Sequence, residues 1–357
     1  MIQRTATLIE ARSIDTADSA SGGNGGTDGQ SWQQLLSDSI TSPEALLRRL
    51  DLAPGPWRKG ADLGHRLFAI RVPEPYAARM ARGNPQDPLL RQVLPTSDEG
   101  LLLPGYATDP LEENSAVATT GLIRKYQSRA LLMVTGQCAI NCRYCFRRHF
   151  PYDEHRLTPR DRTRILEFLA SDQTINEVIL SGGDPLVASD RLLSFWVDSV
   201  SRIPHIRRLR IHSRLPVVIP QRVTAGLLEM LAASRLQCVM VLHINHPNEL
   251  DDQVREALGK LRDAGVTLLN QSVILRGVND HADTLVSLSE RLFECHVLPY
   301  YLHAFDPVAG AHHFAVSDHQ ARVIVRELLA KLPGFLVPRL VREIPDKPGK
   351  TPIDLFA

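Results

Sequence analysis

The sequence predicts an α/β protein: an open, curved, partial (β/α)6 barrel preceded by a mostly helical N-terminal region. Two observations carry that prediction. Six short apolar runs follow one another, ALLMVTG (130–136), EVILSGG (177–183), RLRIHSR (208–214), QCVMVLH (237–243), TLLNQSVIL (267–275) and VLPYYLHAF (297–305). Amphipathic stretches such as PRDRTRILEFLASD, DRLLSFWVDSVSR and NELDDQVREALGKLRDAG lie between them. Strands alternating with helices in this way build parallel βα units with right-handed crossovers. Six units fall short of the eight that close a barrel, so the sheet is expected to stay open. In such sheets chemistry gathers beyond the carboxyl ends of the strands, which directs attention to the residues after each run.

The 357 residues are 43% hydrophobic and 23% charged, a balance that excludes a disordered or fibrous chain. Lys plus Arg total 41 against 40 for Asp plus Glu, a net charge of +1. Such a chain has no global electrostatic drive toward nucleic acid or anionic lipid, and neither is expected as a partner. No apolar run reaches spanning length, and the first residues lack the apolar stretch of a secretory signal. A cytoplasmic location is expected; self-association stays open.

Four segments are expected. Residues 1–31 end in SASGGNGGTDGQ and read as a flexible tail. Residues 32–128 form the mostly helical region: SWQQLLSDSI and SPEALLRRLDL space Leu and Ile by three and four, the second behind a Ser42-Pro43 start. Residues 129–335 hold the partial barrel, and 336–357 form a C-terminal segment.

Directly after the first run comes TGQCAINCRYCFRRHF, with Cys138, Cys142 and Cys145 spaced C-x3-C-x2-C. Three thiolates on one short loop can bind three irons of a 4Fe–4S cubane and leave the fourth open. A structural zinc site would want four protein ligands. Cys238 and Cys295 have no partner at ligand spacing and read as small buried apolar side chains. The second run ends in Ser181-Gly182-Gly183-Asp184-Pro185. Alone, a Gly-Gly pair is a tight turn; one strand after the cysteine loop, it also allows close backbone approach to a ligand.

The cysteine spacing at the end of the first strand of a βα series resembles the radical S-adenosylmethionine superfamily. There the open iron chelates the methionyl group and an electron from the cluster generates a 5′-deoxyadenosyl radical. RRHF after Cys145, SGGDP, HSRLP (212–216), HINHPNE (243–249), LLNQSVILRGVND (268–280) and PYYLHAFD (299–306) together resemble the lysine 2,3-aminomutase family. The nearest likeness is to its shorter branch, which makes β-lysine for modifying translation elongation factor P.

The resemblance implies conversion of L-α-lysine to β-lysine, with the R form expected, using a 4Fe–4S cluster, S-adenosylmethionine and pyridoxal 5′-phosphate. A 1,2-amino shift needs the nitrogen presented as an imine, and the cofactor supplies that chemistry while the protein supplies geometry. In the family frame Lys350 is the Schiff-base lysine, although a lysine in such a Gly/Pro-rich segment is by itself usually solvated. Lys125, Tyr126 and Arg129 surround the pyridoxal ring and phosphate; the same basic cluster alone would read as a solvated face. Arg147 clamps the substrate carboxylate, for which a guanidinium fork is suited, and Arg148 is structural. Asp306 pairs with the distal ammonium, or caps the next helix. Ser181, Gly182, Gly183, Asp184, Ser213, His243 and Gln271 fall at strand ends where relatives contact cofactors.

One departure stands out. Seven residues before the Schiff-base lysine, catabolic relatives carry a second aspartate within a glycine run, whereas this chain has Glu343 in REIPDKPGK. The chain also lacks their cysteine-bearing C-terminal extension, which favours the elongation-factor branch and predicts no zinc site. An electron donor such as flavodoxin or ferredoxin and a functional link to the elongation factor P lysyl-ligase are the implied partners. A catabolic aminomutase, a pyridoxal-free radical enzyme and a zinc-binding interaction protein remain as alternatives.

Overall fold

The computed structural model describes residues 29–53, 55, 58–152 and 156–357. The tail expected over 1–31 lies outside the described residues apart from its last three. The chain then enters five short helices, α1 (Trp32–Ser37), α2 (Pro43–Arg49), α3 (Arg58–Leu67), α4 (Glu74–Ala77) and α5 (Pro88–Arg91). Each of the first two starts where its sequence supplies a cap. The Ser31 hydroxyl accepts from Gln34 N, the Ser42 hydroxyl accepts from Ala45 N, and Pro43 occupies the first helical turn.

One ten-stranded sheet in sequence order organises the rest. β1 (Val117–Thr119) and β2 (Leu122–Tyr126) form an antiparallel hairpin, and β2 pairs antiparallel with β3 (Arg129–Thr135). From β3 the sheet is parallel through β4 (Glu177–Gly182), β5 (Arg208–Ser213), β6 (Gln237–Leu242), β7 (Thr267–Val273) and β8 (Leu298–His303). These six strands are the six apolar runs. A seventh parallel strand, β9 (Arg339–Arg342), follows β8, and β10 (Thr351–Pro352) returns antiparallel on it. The sequence reading did not anticipate β1, β2, β9 and β10. They hold two to five residues each, too few to show a period.

The crossovers are helical: α6 (Pro159–Ser171), α7 (Asp190–Ser201), α8 (Leu215–Val218), α9 (Ala225–Ala232), α10 (Asp252–Asp263), α11 (Ala282–Glu294) and α12 (Asp318–Lys331). α6 opens with a capping box between Thr158 and Asp161. α7 buries Leu193, Trp196, Val197 and Val200, the three-and-four spacing that turns one face inward. These side chains join Val178, Leu180, Leu209, Ile211, Met240 and Leu242 of the central strands in one large core. Cys238 and Cys295 are buried in that core as the small apolar groups they were read to be. A second, small cluster of Leu275, Val278, Phe305, Val308, Ala311 and Phe314 packs against Tyr144 beside the cysteine loop. No helix among the described residues is long and apolar enough to cross a membrane.

Candidate active site

The carboxyl ends of β3 to β8 open into one cavity of about 570 Å³, a size that suits small molecules and cofactors. All the site residues named from the sequence line it, from the three cysteines to Lys350. This is the juxtaposition that matters most, because Cys138 and Lys350 stand 212 positions apart in the sequence.

The cysteine loop leaves β3 and is gripped by the helical region. Arg143, between Cys142 and Cys145, is fully buried. It donates from Nε to Glu99 Oε1 (2.9 Å), from Nη1 to the Phe68 carbonyl (2.6 Å) and from Nη2 to the Gly64 carbonyl (3.0 Å). Arg71 donates to the Cys138 carbonyl (3.3 Å), and Asn141 to the Ala69 carbonyl (2.9 Å). Arg148 also binds Glu99 (2.6 Å) and the Gly310 carbonyl (2.8 Å), a tie between loops. Burial pushes the Cys145 thiol up to about 11 and holds the Cys138 thiol well above its ordinary range, so a thiolate there needs a cation for company. Among the described residues no three His, Cys, Asp or Glu side chains close on a single-ion point. Cubane ligands each take a separate iron and need no such point. The donor set therefore fits a cluster.

The glycines at the end of β4 also have a close neighbour within the chain. Gly182 has φ +118°, and a Cβ there would run into the Thr135 carbonyl. A Cβ on Gly183 would meet the Gln137 carbonyl. The close approach is to the backbone leading into the cysteine loop, which only glycine tolerates. Asp184 is also engaged within the protein: Oδ1 accepts from Leu186 N (3.0 Å) and Ser213 Oγ (2.7 Å), and Oδ2 accepts from Arg214 N (2.8 Å) and Leu215 N (3.0 Å). Asp184 and Ser213 thus brace the ends of β4 and β5 against each other.

Arg147 is not a free fork. Glu113, just before β1, accepts from its Nε (2.5 Å) and Nη2 (2.9 Å), while Nη1 reaches Ser181 Oγ (3.1 Å). Lys125 approaches the same carboxylate (3.3 Å). Burial pushes Glu113 up, but Arg147 and then Lys125 outweigh it and hold the carboxyl down to about 2. The sequence reading missed Glu113, which stands 34 positions from its partner and has no motif around it.

Glu343 lies on the far side. It receives Tyr126 Oη (2.6 Å), pairs closely with Lys350 Nζ and stands 3.7 Å from Lys125 Nζ. Asp306 caps no helix; Ser317 caps α12 instead. Burial raises Asp306 to about 6, with Lys350 opposing and Glu343 reinforcing the shift. Arg129 stacks over the Tyr126 ring at 3.9 Å. Three histidines complete the wall, and burial lowers all of them, His243 to about 3. They are neutral at pH 7, and Nε2 of His212 and of His303 is buried without a hydrogen-bond partner. Unpartnered ring nitrogens, Gln271 beside His243 (3.3 Å) and the basic side chains of Lys125 and Arg129 fit an aromatic, phosphate-bearing ligand.

The radical SAM superfamily model matches residues 132–288. The chain is 53% identical over 326 residues to the L-lysine 2,3-aminomutase of Escherichia coli K12, covering 91% of this chain and 95% of that one. It is 32% identical to the Clostridium subterminale L-lysine 2,3-aminomutase, over 91% of this chain and 78% of that one. The chain belongs to the lysine 2,3-aminomutase family. As a radical SAM lysine 2,3-aminomutase it is an isomerase, and its superfamily chemistry uses a 4Fe–4S cluster with S-adenosylmethionine. A radical SAM methyltransferase from Sphaerobacter thermophilus is similar in structure at 16% identity and a TM-score of 0.44, over 62% of this chain and 68% of that one.

Proposed function

We propose that this aminomutase works on L-lysine with pyridoxal phosphate held at Lys350, and that its β-lysine serves the modification of elongation factor P. The observation that carries the pyridoxal reading is the single cavity shared by the cysteine loop and Lys350. When bound, the cluster with S-adenosylmethionine supplies the radical that removes a hydrogen, and pyridoxal phosphate supplies the aldehyde that carries the migrating amine. The chain's own residues do the positioning, which matters because a radical takes whichever hydrogen lies nearest.

Cys138, Cys142 and Cys145 hold the cluster. Lys125 and Arg129 would neutralise the phosphate, and Tyr126 lines the cavity beside them. Ser181, Gly182, Gly183 and Asp184 shape the methionyl side, joined by Ser213, His243 and Gln271 at the later strand ends. Glu113 takes the side edge of the Arg147 guanidinium and Nη1 lies on Ser181 Oγ and the Gly182 carbonyl, so the second N–H of Nη2 is the donor left for the substrate carboxylate. Asp306 and Glu343 face the distal ammonium. With no ligand bound, Glu343 is the counter-ion of Lys350. Glu343 would hold Lys350 in position for the cofactor, and the longer reach of Glu than Asp sets the same carboxylate between that lysine, Tyr126 and Lys125.

In this reading residues 129–335 generate the radical, 32–128 grip the cysteine loop, and 336–357 deliver Lys350. Three cysteines given to a cluster and two buried without a disulfide agree with a reducing, cytoplasmic setting and a soluble low-potential electron donor. The elongation factor P role rests on the sequence resemblance.

The test is anaerobic reconstitution with L-lysine and chiral analysis of the product. β-Lysine should appear only with reductant, S-adenosylmethionine and pyridoxal phosphate, and Lys350→Ala should lose the borohydride-reducible absorption band. Normal turnover by Lys350→Ala would overturn the assignment of the lysine. Mass analysis of elongation factor P incubated with its lysyl-ligase and the product tests the downstream role; no β-lysyl adduct would remove it.

A further inference from the structure

We propose that Arg214 is a positioning residue for the iron–sulfur cluster, aimed through Cys142 to make the cluster easier to reduce. The inference rests on the reading of the three cysteines as cluster ligands. Arg214 follows β5, and its guanidinium reaches behind the cysteine loop, where Nη1 donates to Cys142 Sγ at 2.7 Å.

The other nitrogen is locked. Nη2 donates to Gln92 Oε1 (2.6 Å), Glu249 Oε2 (2.8 Å) and Tyr76 Oη (2.9 Å), three acceptors from three separate segments. Glu249 is itself fixed, fully buried, with Oε1 accepting from the backbone nitrogens of Asn245 (2.9 Å) and His246 (3.1 Å). At the base of the side chain, Asp184 holds Arg214 N. A planar fork pinned at one nitrogen and at its backbone cannot swing, so the remaining nitrogen stays on the sulfur.

The pair with Glu249 is neutral in sum, but its positive end faces the cluster and its negative end faces away. Hydrogen bonds to cluster sulfurs and nearby positive charge favour the reduced, more negative cluster. The step affected is the uptake of one electron by the cluster from an external low-potential donor; no bond forms or breaks in it. Arg214 has no place in the substrate chemistry described above, and HSRLP as a motif gives no hint of what the arginine faces.

The test is a potentiometric titration of the anaerobically reconstituted full-length protein, read by the electron paramagnetic resonance of the reduced cluster without substrate. Removing Arg214 alone would strand Glu249 as a buried unpaired charge. The informative variant is therefore Arg214→Gln with Glu249→Gln, which removes both charges together. It should shift the reduction equilibrium against the reduced cluster at least tenfold, about 59 mV for one electron. It should also lose a strongly coupled exchangeable proton in electron–nuclear double resonance. Glu249→Gln alone keeps the arginine, removes the opposing anion and should shift the equilibrium the other way. A double variant within twofold of wild type, with full iron and sulfide, would overturn the proposal. If the double variant takes up no iron, the single variant decides: a shift toward easier reduction with the proton signal retained supports the role, and no shift refutes it. A wild-type protein that assembles no 4Fe–4S cluster would instead overturn the cluster reading beneath it.

Discussion

Replacing Glu99 by Gln attacks the joint between the helical region and the cysteine loop. Glu99 is buried and accepts from Arg143 Nε (2.9 Å), Arg148 Nη2 (2.6 Å) and Thr96 N (3.2 Å). Two guanidiniums share this one carboxylate. A glutamine keeps the shape but turns an amide donor toward them and leaves their charge without a counter-ion. Breaking a buried pair from one side costs about 3–5 kcal/mol. For a chain of this size the unfolding entropy near the midpoint is about 0.75 kcal/mol per degree, so Tm should fall by roughly 4–7 °C. The comparison is Glu44→Gln, which removes the exposed Glu44–Arg48 pair with side chains 51% and 66% exposed. That change should cost no more than about 0.5 kcal/mol. The assay is anaerobic thermal and urea unfolding of metal-free protein, so that cluster loss does not enter. A cost below about 1 kcal/mol for Glu99→Gln would refute the argument, because it would mean that the two arginines do not depend on this carboxylate.

Glu113→Gln should be less stable than wild type at neutral pH. Because the folded carboxyl is held near 2, against 4.5 for an unperturbed group, the difference should vanish as pH falls from about 4.5 through 2; pH-dependent urea unfolding checks it. Asp306 has the opposite sign: raised to about 6 from 3.8, it penalises the folded state as it ionises. Asp306→Asn should therefore gain unfolding free energy over wild type as pH rises from about 4 to 8, by up to about 3 kcal/mol, and a pH-independent difference in urea unfolding would contradict the shift. Gly182→Ala should cost about 1–3 kcal/mol through the clash with the Thr135 carbonyl and should lower iron content after reconstitution. Unchanged iron uptake would separate that turn from the cysteine loop.

β3, β4 and β6 were legible because most of their residues are buried, which leaves a nearly continuous apolar word in the sequence, whereas β5 and β7 alternate buried and half-buried positions and were legible through that alternation. The flanking hairpins were not, since Leu122–Tyr126 and Arg339–Arg342 are short and half polar. The cavity-lining residues were legible through ordered motif blocks. Their electrostatic partners were not: Glu99, Glu113 and Glu249 each pair with an arginine 34 to 49 positions away, on a different element. A glutamate in a connecting segment carries no periodic mark, and the ordinary expectation for it is water. The approach of the Thr135 and Gln137 carbonyls to Gly182 and Gly183 was not legible, because it joins backbone segments more than 40 positions apart.

The sheet begins at β1 and ends at β10, and these two edges are not bonded to each other. Near them, Tyr126 and Lys125 on β2 reach Glu343 just beyond β9, and Glu343 in turn holds Lys350. The seam of the open ring is thus fastened by side chains of its two edges, at the wall that carries Lys350. A fastening made of charged side chains can loosen without unravelling any strand ladder.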